Sequence, residues 1–330
     1  PKLLRPFLQR LANGFGSPNF CSESSACFFS TAVANILNYG CNLTSNFDKS
    51  TKCLMVWSAN PFHSSTPRVR GLLDEIDNGL KVIEVGPFVT PLSNKANLHL
   101  RLRPGTSGAL ALGMAHVIIE ENLYDKEFIE NWSVGFDNYR SYVKSFPPSE
   151  TEKITGVPAA SIIEAARTYA TSKPAAIMTS ASPTVHHTNG LQNHRAITAL
   201  IGLTGNFDQP GASYDVPASY YHNPTGLITR EHEFEQAKPF EEMPPRIGQD
   251  KYPIWCKTVA ESQSMHLPFQ IESQKPYPIK ALVGFGLNYR MWPGSDFMRN
   301  SLKKLDFLVD VDLFMTDSAR LADLVLPACS

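Results

Sequence analysis

Residues 52–87 read KCLMVWSANPFHSSTPRVRGLLDEIDNGLKVIEVGP, and this stretch decides the fold class. Its first part, KCLMVW, is a compact β-rich run that leads into the turn-forming pair Asn60-Pro61. The segment from Thr66 to Gly79 has a Thr to cap it, Pro67 at the first helical position, apolar residues at helical spacing and a closing Asn78-Gly79. KVIEVGP, residues 81–87, then reads as the next strand. Strand, helix and strand in short succession make a βαβ unit, which implies a parallel sheet.

Working outward, LHLRL (98–102) continues the sheet, and the turn RPGTSG (103–108) opens a helix running to about residue 124. Residues 125–172 carry three- and four-residue apolar spacing and read as helices, KPAAIMTS (173–180) as a short strand, and NGLQNHRAITALIGLTGN (189–206) as a helix. Residues 209–278 are rich in Pro, aromatics and charge with weak periodicity, as expected of loops and short elements crossing between domains. From Ile279 a second α/β register begins: strand IKALVGFG, helix GSDFMRNSLKKL, strand DFLVDVD and strand LADLVLP. The expected class is therefore α/β, with two lobes of mostly parallel, doubly wound sheet. The end of a preceding segment is expected over residues 1–18, one lobe over 19–211 and the second over 212–330.

Composition narrows the function. A chain of 330 residues has ample material for two domains, and a formal net charge of −1 favours neither nucleic acid nor an anionic membrane as partner. No apolar run approaches the roughly 20 residues of a membrane-spanning helix. Six cysteines are too few for a disulfide scaffold at this length, and no C-x-x-C occurs, so reduced thiols are the default. The start PKLLRPFLQRL lacks an initiator Met and a signal-peptide core, and a fragment of a longer polypeptide is expected.

In doubly wound sheets, ligands sit on the loops at the carboxyl ends of strands. WSANPFHSS (57–65), VGPFVT (85–90), RPGTSG (103–108) and GFGLNYR (284–290) are such loops. Asn60 and Asn288 could bond a heterocycle edge, because an amide both donates and accepts. Thr106 and Ser107, at a helix start, could meet a phosphate through backbone N–H groups. No loop is G-x-G-x-x-G or G-x-x-x-x-G-K-[ST], so an ordinary nicotinamide dehydrogenase or P-loop enzyme is unsupported. Cys27, ahead of the helix-like run FFSTAV, is either a dipole-stabilised thiolate suited to nucleophilic or metal-ligand work or a plain buried thiol. TVHHTNGLQNHR (184–195) gathers His186, His187 and His194 without a standard zinc spacing; it reads as a helix start with one satisfied histidine, or as a polar ligand contact with an imidazole for proton transfer. The charged run EHEFEQAKPFEE (231–242) reads as solvated surface.

Taken in order, CFFSTAV (27–33), KCLMVWSANP (52–61), LHLRLRPGTSGALALGMAHVIIEENLYDKEFI (98–129), HTNGLQNHRAITALIGLTGN (187–206) and DLFMTDSARLADLVLPA (312–328) resemble the catalytic subunit of the molybdopterin oxidoreductases, the dimethyl-sulfoxide-reductase superfamily. The resemblance extends over nearly the entire chain. It implies a bis(molybdopterin guanine dinucleotide) cofactor holding Mo or W between two α/β lobes, with one protein side chain on the metal. Cys27 matches that ligand position, and a soft thiolate suits Mo or W; Cys21 does not match it. By the same resemblance Asn60 and Pro61 match one cofactor loop, and Pro104, Gly105, Thr106 and Ser107 the family's R-P-G-T turn. Asn189, Gly190 and Gln192 match a segment near the pterin, and Gly286, Asn288, Asp312 and Thr316 the second lobe's cofactor loops.

Three departures stand out: Gly86 and Ser107 occupy positions where the family commonly shows Asp, and Phe88 replaces an Arg. The resemblance also implies a [4Fe-4S] cluster in an amino-terminal part outside this chain, and an iron–sulfur electron-transfer subunit as partner. GSPNFCSESSAC (16–27) and SPTVHHTNGLQNHRA (182–196) look most like the branch with acetylene hydratase, the aromatic hydroxytransferase of pyrogallol metabolism and the catechol dehydroxylases. Polysulfide and thiosulfate reductases are the next neighbours. That placement implies a small-molecule substrate, with hydroxyl removal or transfer, or hydration, and with His186 or His187 carrying protons. A cytoplasmic setting is expected, or a periplasmic one if a twin-arginine leader preceded the chain. The competing expectation is a non-catalytic homologue serving as a structural or electron-relay subunit.

Overall fold

The computed structural model describes residues 4–45, 47–180, 184–215, 242–259 and 261–329. All but the last residue of the charged run at 231–242 lies outside them, as do Ser182 and Pro183. The described residues fall into two compact units, one drawn from Cys27–His222, the other from Pro1–Ala26 with Asn223–Ser330.

In the Cys27–His222 unit, α2 (Phe29–Tyr39) and β1 (Leu43–Ser45) precede β2 (Cys53–Trp57), α3 (Pro61–Ser64), α4 (Thr66–Asp77), β3 (Lys81–Val85) and β4 (Leu98–Leu100). Helices α5 (Ser107–Glu120), α6 (Lys126–Trp132), α7 (Phe136–Val143), α8 (Pro148–Thr155) and α9 (Ala159–Thr171) lead to β5 (Ala175–Thr179), then α10 (Gly190–Leu203) and β6 (Ser213–Asp215), which pairs antiparallel with β1. The main sheet has the order β4-β3-β2-β5 and every pair in it is parallel.

Strand alternation explains why both faces are covered. On β2, Cys53, Met55 and Trp57 join a core with Leu110, Met114 and Ile118 of α5, Tyr169 of α9 and Ile197 of α10. Leu54 and Val56 point the other way, into a core with Leu72 of α4 and Leu92. All five β2 side chains are fully buried, which is why KCLMVW reads as a continuous apolar run. Strands β2, β3 and β4 advance in one direction, and the chain then returns to lay β5 on the other side of β2. That reversal makes a crevice at the carboxyl ends of β2 and β5.

One local expectation needs correction. Thr66 is the first residue of α4, not its cap; Ser65 takes the cap position and makes no side-chain cap bond.

The other unit contains α1 (Leu4–Phe15), α11 (Pro253–Val259), α12 (Leu267–Ser273), β7 (Ala281–Phe285), α13 (Ser295–Leu302), β8 (Phe307–Asp312) and β9 (Leu324–Pro327). Its sheet runs β7-β8-β9, all parallel. Residues before Cys27 belong with this later half through long-range polar bonds that no local pattern announces. Asn19 Nδ2 donates to Tyr277 Oη (2.8 Å), Ser22 Oγ to Glu261 Oε2 (2.9 Å), and Arg246 Nε to the Pro18 carbonyl (3.2 Å). Among the described residues no helix is long and apolar enough to cross a membrane.

Candidate functional site

The carboxyl edge of the four-stranded sheet collects most of the residues singled out in this unit. After β2, Ser58 takes a left-handed backbone (φ 52°) and its N–H donates to the Val85 carbonyl (2.6 Å), tying this loop to the end of β3. Asn60 then occupies the cap position of α3, with Pro61 buried in the first turn. Asn60 caps nothing with its side chain; its Oδ1 is buried and has no hydrogen-bond partner among the described residues. After β3, Gly86 is buried, yet a Cβ built on it would meet nothing within 4 Å, so open space lies above this strand end. Phe88, 75% exposed, stands on the same loop.

After β4 comes the R-P-G-T turn. Thr106 Oγ1 donates back to the Arg103 carbonyl (2.6 Å), leaving the first turn of α5 without a side-chain cap. Arg103 is spent on structure: its Nη1 donates to the Lys153 carbonyl (2.7 Å). Gly105 has φ +83°, which calls for glycine, and the His187 ring lies beside it, with Nδ1 3.7 Å from where a Cβ would be, an ordinary contact. Ser107 is buried at the start of α5. Beside it sits Asn193 of α10, 3% exposed, whose Oδ1 lies only 2.5 Å from where a Cβ on Gly108 would be. Asn193 Nδ2 is buried and, like Asn60 Oδ1, has no partner among the described residues. An uncapped helix N-terminus presents unpaired N–H groups and a positive dipole end, so an anion suits this corner.

After β5, the chain turns into α10. Gly190 is required there: an added Cβ would fall 2.0 Å from the Val185 carbonyl oxygen. Asn189 caps α10 without a side-chain bond, and Gln192 is exposed, its Oε1 accepting from Arg195 Nη1 (3.1 Å). His186 and His187 are exposed, whereas His194 is buried. The Thr184 hydroxyl donates to the Ser180 carbonyl (2.9 Å) and its oxygen accepts from His194 Nδ1 (3.1 Å). Burial pushes the His194 imidazole down to about 4, so it is neutral near pH 7. His194 is thus the satisfied histidine of the cluster.

Cys27 lies in the turn just ahead of α2 and is half-exposed. Helix α2 packs on α10, with Asn38 Nδ2 donating to the Arg195 carbonyl (2.9 Å) and Tyr39 Oη to the Thr198 carbonyl (2.6 Å). Cys21 differs: burial, then the nearby Glu261 carboxylate, pushes its thiol up to about 12, which keeps it protonated. Among the described residues no three His, Cys, Asp or Glu side chains gather to hold a metal. Zinc at the histidine cluster is therefore unsupported, and a metal here would need further ligands from a cofactor.

The second group of residues lies in the other unit, again at carboxyl strand ends. Gly286 (φ +63°) follows β7 and its N–H donates to the Val311 carbonyl (2.8 Å). Asn288 Oδ1 accepts from Arg290 N (3.2 Å), Asp312 Oδ1 from Leu313 N (2.6 Å) and Thr316 Oγ1 from Ala319 N (3.1 Å). These side-chain bonds are local; the loops after β7 and β8 are joined by the Gly286–Val311 bond and by Tyr289 N donating to Ser318 Oγ (3.1 Å). Sequence reasoning missed Asn193 and Asp310. Asp310 is fully buried on β8, with Oδ2 unpartnered among the described residues and a carboxyl raised by burial. Asp310 sits inside the apolar run FLVDV and Asn193 inside the polar run LQNHR, and in both only tertiary packing reveals a polar atom without a mate among the described residues.

In each unit the loops at the carboxyl edge of a parallel sheet gather polar side chains, and in the Cys27–His222 unit they add the uncapped start of α5 and buried amide atoms without partners among the described residues, a chemistry that suits an anionic, heterocycle-bearing ligand. The chain matches the molybdopterin oxidoreductase family over residues 5–330, and it belongs to that family. It is 32% identical over 345 aligned positions to acetylene hydratase of Syntrophotalea acetylenica, covering 97% of this chain and 46% of that one. It is 30% identical to formate dehydrogenase H of Escherichia coli (85% of this chain, 39% of the relative) and 28% identical to the molybdopterin-containing subunit of thiosulfate reductase of Salmonella typhimurium (99% and 44%). The solved acetylene hydratase of Pelobacter acetylenicus superposes with a TM-score of 0.86 at 29% identity, over 98% of this chain and 47% of that one. The chain spans about half the length, or less, of these relatives. The family is one of enzymes whose cofactor is molybdopterin carrying Mo or W, and some relatives are named as subunits.

Proposed function

We propose that this chain forms the cofactor-holding core of a Mo- or W-dependent oxidoreductase acting on a small molecule, with Cys27 as the protein ligand of the metal. The observation that carries the proposal is two buried amide atoms without partners among the described residues, Asn60 Oδ1 at the start of α3 and Asn193 Nδ2, whose side chain lies against Gly108 in the uncapped first turn of α5. An acceptor and a donor buried without mates are costly, and a bound dinucleotide with N–H, ribose and phosphate groups would supply partners for both. Asn60, Pro61, Pro104, Gly105, Thr106, Ser107, Asn189, Gly190 and Gln192 would hold one nucleotide-bearing unit, and Gly286, Asn288, Asp312 and Thr316 the other. The open space above Gly86 admits the ligand close to backbone.

When bound, the cofactor supplies two-electron and Lewis-acid chemistry at Mo or W. The protein's share is orientation and proton handling. His194 is held neutral and fixed by Thr184, so proton delivery falls to the exposed His186 and His187, the latter set against Gly105. Similarity to acetylene hydratase favours hydration as the reaction class, with removal or transfer of an aromatic hydroxyl as the alternative. The electron partner would be an iron–sulfur subunit and the setting the cytoplasm. Mass-spectrometric metal analysis of the full-length protein should find Mo or W near one per chain. Cys27→Ala should alter the metal-edge X-ray absorption spectrum and abolish turnover; an unchanged spectrum with full turnover defeats the ligand assignment. Replacing His186 and His187 separately should reshape the pH–rate profile, and profiles identical to the parent remove them from the mechanism. Gly86 and Ser107, at positions where the family commonly shows Asp, favour one competitor, a non-catalytic homologue serving as a structural or electron-relay subunit, which a metal-free full-length protein would support.

A further inference from the structure

Strand β3 reads KVIEV, an apolar strand with one acid inside it. That acid, Glu84, is 2% exposed. Its register partners are Val56 on β2 and His99 on β4, and its face of the sheet carries Leu54, Val56 and Val82 into the core with Leu72 and Leu92. Among the described residues no Lys, Arg or His forms an ion pair with it. A carboxylate in such a place is costly unless its oxygens are bonded, and an apolar side chain of the same volume would serve stability as well or better. Glu84 therefore calls for a use other than stability.

The partners of the carboxylate come from the loop that follows its own strand. Thr90 Oγ1 donates to Glu84 Oε1 (2.6 Å), and Ser93 Oγ donates to Oε2. The same two hydroxyl oxygens accept from the loop's backbone, Thr90 Oγ1 from Leu92 N (3.1 Å) and Ser93 Oγ from Thr90 N (2.8 Å). Each hydroxyl thus spends its hydrogen on the carboxylate and its oxygen on an amide, and the loop closes into one network centred on Glu84. Other contacts hold the loop less completely. Gly86 N donates to the Leu100 carbonyl (3.1 Å) and Arg101 Nε to the Pro87 carbonyl (3.2 Å), which fixes only the first two loop residues. Phe88 and Val89 at the tip are 75% and 64% exposed. Leu92 is buried, but apolar contact is non-directional, whereas hydrogen bonds to a charged group are strong and fixed in geometry.

We propose that Glu84 is a positioning residue that, through Thr90 and Ser93, holds loop 86–93 in one shape before any ligand arrives. The ligand then meets the open space above Gly86 without first having to order the loop. The proposal rests on the reading that the nucleotide-bearing cofactor occupies this sheet edge, and adds to it a residue that acts from inside the sheet.

The test uses the full-length protein. In metal-free Glu84→Val, hydrogen exchange at the Thr90 and Leu92 amides should be about 10-fold faster, the weight of a charged hydrogen bond, although both amides keep their hydroxyl acceptors. Unchanged exchange at these amides overturns the clamp. Should Glu84→Val fail to fold, Ser93→Ala decides: Leu92 N is not bonded to Ser93, so faster exchange there is transmitted through Glu84, and an unchanged rate overturns the proposal. In protein isolated with its cofactor, Mo or W per chain should fall about 10-fold in Glu84→Val, while the metal-free variant melts within about 3 °C of the parent. A merely structural role predicts a lower Tm with the metal retained; full metal content in Glu84→Val overturns the proposal whatever the Tm. Glu84→Gln keeps one acceptor oxygen and should retain more metal than Glu84→Val, and equal retention shows that the acceptors are not what positions the loop. A parent protein without Mo or W defeats the cofactor reading instead, and hydrogen exchange still decides on the clamp.

Discussion

Replacing Gly190 by Ala tests whether the turn at residues 184–190 and the start of α10 are held as tightly as the backbone implies. The added Cβ would lie 2.0 Å from the Val185 carbonyl oxygen, 2.4 Å from its carbon and 2.6 Å from its Cα. Ordinary contact between such atoms is about 3.5 Å, so the turn must open by more than 1 Å. These are main-chain atoms, and the Gly190 N–H bond to the His187 carbonyl (2.9 Å) holds the turn shut. Overpacking of this kind costs about 1–3 kcal/mol and more where nothing flexible can yield. Gly→Ala in a helix returns at most ~1 kcal/mol. A net loss near 2 kcal/mol lowers Tm by roughly 4–8 °C for a unit of this size. Gly71→Ala is the matched control, because Gly71 lies inside α4 and an added Cβ meets nothing within 4 Å; it should raise Tm by up to about 4 °C. Thermal melts of the full-length variants, with hydrogen exchange over 184–203, provide the measurement. A Gly190→Ala melt equal to or above the parent's would refute the reasoning.

Other outcomes follow from the same site. Asn193→Leu should leave the metal-free protein's Tm unchanged or raised, because it removes an unpartnered buried amide, while lowering Mo or W content per chain; full metal content in this variant would show that Asn193 touches no ligand. For His194 the folded pKa of about 4 lies below the unfolded value near 6.5, so the unfolded state takes up the proton first. The stabilisation is complete above pH 6.5, is lost as pH falls toward 4, and totals roughly 3 kcal/mol; His194→Gln should flatten the stability profile over that window, and an unflattened profile contradicts the assignment. With its thiol pushed up to about 12, only about one Cys21 in ten thousand is ionised at pH 8. Alkylation of metal-free protein at pH 8 should therefore be slow at Cys21, and rapid labelling there would upset its placement.

The α/β class was legible because its signals are local. KCLMVW announces a strand buried on both faces, and Asn78-Gly79 and Gly205-Asn206 punctuate helices where the structure ends them. The loops of the site were legible by position, since carboxyl strand ends can be counted along the chain. What the residues did not disclose depends on contacts distant in sequence. The Asn19–Tyr277 and Ser22–Glu261 bonds place residues before Cys27 with the later half. Asn193 is seen to matter only once α10 is laid against Gly108. The Thr66 cap failed for a smaller reason: Pro67 fixes the first turn whichever of Ser65 and Thr66 precedes it, so sequence alone did not set the boundary.

Close packing and unpaired amides meet at the candidate site. Gly190 against Val185 and Gly108 against Asn193 bring backbone and helix so close that the loops have little room to move. Asn193 Nδ2 within that frame, and Asn60 Oδ1 at the start of α3, have no mates among the described residues, each at about 1–3 kcal/mol. A fold that merely needed stability would place apolar side chains there, as it does throughout β2. Two buried amides unpaired among the described residues cost stability that the partners of the proposed ligand would restore. Ligand binding should then raise the stability of this unit by more than contact area alone predicts, with the gain lost most sharply in Asn60→Leu and Asn193→Leu.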